Sequence, residues 1–211
     1  MTFIDIVFLL LTGLVSAYLV YMLYKDYNAK DPKPRPNIPY MIAFTVLLVS
    51  GVLLIIFGWG ILPNPAVIVV TSLLPLSIAV GLYCEFYKEK LGLPFKIFAA
   101  IGLIAIILTR FIPDTPRVLQ IVTIATVHSI AGLSIFLIPI IVVKSGRAPK
   151  GFIYVTVGEV LIGLGGIALT FLKSKSQLLF FSQDFVMAIL APLLFLMALS
   201  FTYGFISKMK S

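Results

Sequence analysis

The fold is decided by residues 118–172, which read VLQIVTIATVHSIAGLSIFLIPIIVVKSGRAPKGFIYVTVGEVLIGLGGIALTFL. Two long apolar runs stand on either side of a short basic loop. Each run has about the 20 apolar residues that a helix needs to cross a hydrocarbon core roughly 30 Å thick. Because a backbone in lipid must satisfy its own hydrogen bonds, this stretch predicts a transmembrane helical hairpin.

The rest of the chain has the same character. Of its 211 residues, 61% are hydrophobic and only 11% are charged, and the mean hydropathy is +1.14. This leaves too little polar surface to enclose a soluble core. We therefore predict an all-α, polytopic membrane protein, a single bundle of seven transmembrane helices in contact with the lipid bilayer. The expected helices are about 3–24, 40–62, 66–87, 95–112, 118–143, 151–172 and 185–206.

Polar and proline-rich segments separate the runs. Lys25–Pro39 is expected to be an extended linker and Lys88–Pro94 a loop, because proline removes a helical hydrogen bond. The segment Lys173–Gln183 is too short to cross and is expected to lie in the headgroup boundary. Kinks are predicted at three prolines within runs, Pro75, Pro139 and Pro192.

Basic residues indicate the orientation. Twelve of them fall on the side reached after helices one, three, five and seven, and four on the other side, Arg110, Arg117, Lys173 and Lys175. Since Lys and Arg are retained on the cytoplasmic side, this predicts a multi-pass plasma-membrane protein with its N-terminus outside and its C-terminus in the cytoplasm. The net charge of +8 is read as this topology signal, so no nucleic-acid partner is expected.

The first apolar run of the quoted stretch holds the chain's only histidine, His128, and the second holds Glu159. Counted along each helix from its expected start, His128 lies roughly 15 Å deep and Glu159 roughly 12 Å deep from the opposite side. The two depths nearly meet near the midplane. Both residues belong to stripes of small and polar residues, Ala125, His128, Ser129 and Gly132 in one helix and Thr156, Glu159, Gly163, Gly166 and Thr170 in the other. The sequence therefore predicts an intramembrane polar pair.

Several roles for this pair stay open. It would act structurally as an interhelical clasp worth about 0.6 to 2 kcal/mol. It would act functionally as a proton relay, a quinone or lipid headgroup contact, or an axial haem ligand. His128 is the only candidate cofactor ligand, and haem would need a second ligand from Met187, Met197 or another chain. Neither cofactor is favoured. With the single cysteine Cys84, the ligands are too few for a zinc or iron–sulfur site, so no metal is predicted.

No complete catalytic set is present in the sequence. The last run has no lysine for a retinal Schiff base, no second histidine supports a histidine-rich lipid enzyme, and no two aspartates lie within runs. Ser129 follows His128 directly and so points elsewhere on a helix. We therefore expect no catalytic residue, and the sequence leans away from an enzyme.

Three further charged features have simpler interpretations. Arg110, Asp114 and Arg117 form a charged cluster on the outer face, expected to be a surface ion pair or an anion-contacting mouth. Glu85 is expected to be a solvated boundary residue that reaches Lys88. Asp5, near the outer end of the first helix, is expected to have no functional role.

The opening Phe3-Ile4-Asp5, the outer turn Phe57-Gly58-Trp59-Gly60 and the compact hairpins that follow resemble small, uncharacterised polytopic membrane proteins of archaea. The resemblance implies the overall plan and brings no functional residue with it.

For function, the leading expectation is a non-catalytic membrane subunit that packs against other subunits of a larger complex, such as a respiratory or other energy-conserving one. The alternative is a small proton-linked transporter or channel that uses His128 and Glu159. A third is a quinone- or haem-binding redox protein.

Overall fold

The computed structural model describes residues 1–173 and 183–210, and seven α-helices make up nearly all of them. No strand occurs in these residues, so the all-α prediction is confirmed. Six helices are long and apolar enough to cross a membrane, which makes this a helical membrane protein in contact with lipid. The helices are α1 (Phe3–Ala29), α2 (Asn37–Phe57), α3 (Pro65–Phe86), α4 (Lys88–Phe111), α5 (Arg117–Lys144), α6 (Tyr154–Lys173) and α7 (Gln183–Met209).

The helices form one bundle in which the first and last elements meet. α1 packs between α2 and α7, and α6 packs between α5 and α7. α3 lies among α2, α4 and α5. The ends of α1, α3, α5 and α7 and the starts of α2, α4 and α6 share one side of the bundle, here called the basic face.

Large apolar side chains cover the outside of the bundle as well as its interior. Phe3, Leu14 and Val118 are 79%, 67% and 72% exposed. In water these side chains would be costly, whereas a bilayer solvates them as well as a protein core does. Packing inside the bundle therefore depends on shape, close backbone approach and polar contacts.

A cluster of buried aromatic rings fills the bundle next to the basic face. The Tyr40 ring lies 4.5 Å from Phe205, and Phe205 lies 5.8 Å from Phe152, measured between ring centroids. Tyr40 also packs flat against α3 at Gly81, where a Cβ atom would collide with its ring. Glycine at this position is what allows α2 and α3 to approach.

The first helix begins with a capping box. The Thr2 hydroxyl accepts from the Asp5 backbone N–H at 3.2 Å, and the Asp5 carboxylate accepts from the Thr2 N–H at 2.7 Å. These bonds satisfy backbone donors that a helix start leaves unpaired. Asp5 therefore has a structural role at the helix start.

Two helix ends near α2 differ from the predicted boundaries. α1 continues to Ala29, five residues past the expected end, so the linker shrinks to residues 30–36. An Asp26–Lys30 ion pair of 2.9 Å across one turn supports the added turn. α2 ends at Phe57 because Gly58 takes a left-handed φ of 68°, and a separate 3-10 turn, Trp59–Ile61, follows where continuous helix was expected.

The predicted loop Lys88–Pro94 is helical. α4 begins at Lys88, directly after Tyr87, with Pro94 inside it. Proline removes only one backbone bond there. Gly92 packs against Cys84, with an added Cβ 3.3 Å from the Cys84 Cα. This close approach holds the first turns of α4 against α3.

The last two helices also start and end differently from the prediction. A 3-10 turn, Lys150–Ile153, precedes α6, which begins at Tyr154. α7 continues to Met209, three residues past the predicted end, and so includes Lys208. The expected interfacial segment Lys173–Gln183 lies almost wholly outside the described residues. Pro75, Pro139 and Pro192 each lie within a continuous helix.

We predict that Gly81→Ala lowers the free energy of unfolding by about 1–3 kcal/mol, the usual cost of overpacking. The buried Tyr40 ring has no room to retreat, because its hydroxyl is hydrogen-bonded on α3. Thermal unfolding of the purified protein in detergent would measure this. Gly163→Ala is the matched control, because a Cβ at Gly163 meets no atom within 4 Å. Equal losses from both substitutions would contradict the prediction.

Candidate functional site

Glu159 of α6 lies against α5, the helix that carries His128. Both side chains are half-buried. The Glu159 Oε1 atom lies against Gly132, where an added Cβ would be only 2.6 Å from it. Gly132 is one helical turn after His128. The absent side chain of Gly132 is therefore what leaves room for the carboxylate beside α5.

His128 and Glu159 are not hydrogen-bonded to each other. The His128 Nδ1 atom lies 3.1 Å from the Ile124 carbonyl on its own helix. In the described part of the chain, no side chain or backbone group forms a hydrogen bond or ion pair with the Glu159 carboxylate. Direct contact between the two residues stays a prediction.

The seam between α5 and α6 is closed at one end and open at the other. Near the basic face, the Thr156 hydroxyl donates to the Phe136 carbonyl at 2.9 Å and ties the two helices together. Further along α6, a Cβ at Gly163 would meet no atom of the described residues within 4 Å. Ala125 and Ser129 of the α5 stripe are exposed. The small residues thus leave part of the seam accessible beside Glu159.

A second polar site, which the sequence analysis did not identify, lies at the basic face. The Lys208 ammonium of α7 lies 2.7 Å and 2.6 Å from the two carboxylate oxygens of Glu85 on α3. The Tyr40 hydroxyl of α2 donates to the same carboxylate at 2.8 Å. The expectation that Glu85 is a solvated residue paired with Lys88 is wrong, since its partner is 123 positions away.

Aromatic rings surround the Lys208 ammonium. Its nitrogen lies 4.9 Å from the Tyr40 ring centroid, 5.5 Å from Phe205 and 5.6 Å from Phe152. Ring faces attract a cation, and the attraction grows as water is excluded. The Lys208 side chain is only 12% exposed and that of Glu85 is 25% exposed. This is a largely dry ion pair joining α2, α3 and α7.

A smaller polar link joins α1 to α2 at the same face. The Asn37 amide donates to the Leu23 carbonyl at 3.1 Å and to the Asp26 carboxylate at 3.0 Å. Asn37 is buried, so these bonds satisfy an amide that would otherwise be costly. Together with the Glu85–Lys208 pair, this link makes the basic face the most polar part of the described interior.

At the other face, Arg110 does not pair with Asp114. Its guanidinium donates to the Gln120 amide oxygen at 3.3 Å, and Gln120 donates in turn to the Thr115 carbonyl at 3.1 Å. Within the described residues neither Arg110 nor Arg117 forms an ion pair with Asp114, which occupies a left-handed turn at φ 60°. The bonds made by Arg110 and Gln120 hold the connection between α4 and α5.

Comparisons with other proteins do not assign a family to this chain. No family model, no curated protein and no solved structure matches the chain. Among the described residues, no three side chains of His, Cys, Asp or Glu come together as a metal-binding group would.

The two glutamates thus have different chemical capacities. Glu85 is saturated by Lys208 and Tyr40, so it stabilises the bundle. Glu159 has free acceptor capacity within the described structure, and its side chain is half-buried beside apolar helices. An ionisable group in that position is the usual mark of a functional or partner-binding site in a membrane protein.

We predict that Lys208→Met lowers the free energy of unfolding by about 3 kcal/mol, because the Glu85 carboxylate is left unpaired among aromatic rings. Lys30→Met, which breaks the exposed Asp26–Lys30 pair, should cost about 0 to 1 kcal/mol. Denaturation in detergent would compare the two variants.

The double variant Glu85→Gln with Lys208→Met should be more stable than Lys208→Met alone, since it removes the unpaired charge. A double variant as unstable as the single variant would show that packing of the Lys208 stem, and not its charge, is what stabilises this end.

Proposed function

We propose that the protein is a non-catalytic integral membrane subunit that binds a transmembrane helix of another membrane protein along the α5–α6 seam. The observation that carries this proposal is the Glu159 carboxylate, which has no described hydrogen-bond partner beside Gly132. A polar group left unsatisfied in an apolar environment costs several kcal/mol. A partner helix that presents a hydrogen-bond donor would remove this cost.

The shape of the seam favours a helix as the occupant. Gly163 lies one turn beyond Glu159 on α6, and no atom lies within 4 Å of where its Cβ would be. Small residues let transmembrane backbones approach closely, which is how helices associate in lipid. The exposed Ala125 and Ser129 extend the small surface onto α5. A larger complex, such as a respiratory or other energy-conserving one, would supply such a helix.

The alternative function is proton-linked transport through the same seam. It is favoured by the same unpaired carboxylate, since a Glu at membrane depth with His128 one turn from its contact point is suited to exchanging a proton. A proline inside each of α3, α5 and α7 removes one backbone hydrogen bond, and transporters use kinked helices around midplane sites.

The proposal includes a plasma-membrane topology of seven spans, with the N-terminus outside and the C-terminus in the cytoplasm. The Glu85–Lys208 pair supports it, because the ends of α3 and α7 can meet at one face only if an even number of crossings lies between them. Together with α4, α5 and α7, a crossing by α6 gives that even number. The basic residues concentrated at this face support its cytoplasmic placement.

The seven-span topology predicts which introduced cysteines a membrane-impermeant reagent can label. In a Cys84→Ser background, Lys210→Cys should react with a membrane-impermeant thiol reagent only after the cells are opened. Ser176→Cys, between α6 and α7, should react in intact cells. Labelling of both positions from the same side would exclude a crossing by α7 and overturn the seven-span topology.

We predict that purification from native membranes in mild detergent yields a stoichiometric membrane partner. Glu159→Leu and Gly163→Leu should each lose that partner, the first by removing the acceptor and the second by blocking close approach. Glu159→Gln should retain it, because the amide oxygen still accepts a hydrogen bond. Leu164→Ala, an exposed position on the opposite side of α6, is the matched control.

Recovery of a lone monomer would overturn the subunit proposal. Proteoliposomes would then test the alternative, for which Glu159→Gln and His128→Ala should abolish proton-linked flux. Flux unchanged by both substitutions would remove the transporter as well.

A further inference from the structure

A groove on the outside of the bundle runs between α2 and α4, with α3 as its floor. It encloses about 210 Å³ and is almost entirely apolar. The lining begins near the basic face at Pro39 and reaches toward the middle of the bundle at Leu73 and Leu103. The groove therefore runs along the helices from the basic face toward the middle of the bundle.

Small side chains create this groove. Ala99 and Ala100 of α4 face Ser77 and Val80 of α3, where larger residues would fill the space. The Ser77 hydroxyl is the polar side-chain group of the lining, and no described residue forms a hydrogen bond with it. A long apolar chain with oxygen atoms at one end would match both features.

Basic side chains stand at one end of the groove. Lys96 lies on α4 one turn before Ala99 and Ala100, so it projects from the same helical stripe toward the basic face. Arg35 lies one turn before Pro39 in the segment leading into α2. Both are exposed, and neither forms an ion pair with a described acidic residue. The groove thus joins an apolar floor to an anion-attracting end.

We propose that this groove binds an anionic phospholipid, with one acyl chain between α2 and α4 and the phosphate beside Lys96 and Arg35. Basic pockets between transmembrane helices on one side of a membrane are suited to such headgroups. The site is separate from the α5–α6 seam and does not depend on the proposed function.

A second apolar groove provides an internal comparison. It lies between α1 and α2, encloses about 150 Å³ and is lined by Gly13, Ala17 and Leu48 among other apolar residues. No basic residue stands one turn beyond its lining. It has the shape for a chain without the charge for a headgroup, so it lacks selectivity for anionic lipid.

The test is native mass spectrometry of the full chain in detergent, titrated with phosphatidylglycerol and, separately, with phosphatidylcholine of the same acyl chains. Phosphatidylglycerol should bind more tightly. The double variant Lys96→Gln with Arg35→Gln should weaken its binding by about 30-fold, the combined effect of two bases near a headgroup. Lys144→Gln with Lys150→Gln removes equal charge from exposed positions away from the groove and should have little effect.

Filling the groove separates a chain site from simple charge attraction. Ala100→Phe should abolish the tight binding, while Ala17→Phe, which fills the other groove, should leave it intact. Ala100 is exposed and Ala17 is half-buried, and both line open grooves, so the fold should tolerate the added ring. Equal affinity for the two lipids, or equal losses from the two pairs of lysine and arginine substitutions, would overturn the proposal.

Discussion

The Glu85–Lys208 ion pair is the constraint on which the bundle's packing at the basic face depends. In a bilayer, apolar helix surfaces are solvated equally well by lipid and by each other. A polar contact that forms only in the folded bundle therefore contributes strongly to holding the helices together. Burying either the Lys208 ammonium or the Glu85 carboxylate alone would cost free energy. In the folded bundle the two groups form an ion pair, and the Tyr40 hydroxyl donates a hydrogen bond to the same carboxylate. The close approach at Gly81 and the surrounding aromatic rings all position this contact. It links the end of the last helix to the end of the third, while α7 packs along α1 and α6.

Glu85 and Glu159 show how the surroundings of a carboxylate decide what it can bind. Glu85 has its acceptors occupied and is shielded by rings, so it contributes stability and has no capacity left for a ligand. Glu159 lies beside Gly132 with none of the described groups bonded to it. Both are carboxylates near small or aromatic residues on apolar helices. The difference is whether a partner from a distant helix reaches them, which makes Glu159 the site open to a partner helix or a proton.

On the outside of the bundle, the shape of the surface and its charge have separate effects on lipid binding. Apolar side chains such as Leu14 and Val118 face lipid without any specific contact. Where small residues leave a groove, as at Ala99 and Ala100, an apolar chain fits better than elsewhere. Lys96 at its end adds a preference for one headgroup charge. Specific recognition of a lipid on this surface thus requires a groove for the acyl chain and a charged side chain beside it.

The sequence by itself determined the helical class and the positions of six long apolar helices, because hydropathy and helical rise depend only on local order. It misplaced the start of α4 and the end of α1, since close packing of Gly92 on Cys84 and the Asp26–Lys30 pair override the local preferences of proline and charged residues. Only the tertiary structure decided that Glu85 pairs with Lys208. Their separation of 123 residues leaves no periodic signal, and a lysine near the end of a helix looks the same in sequence whether it faces water or a buried carboxylate.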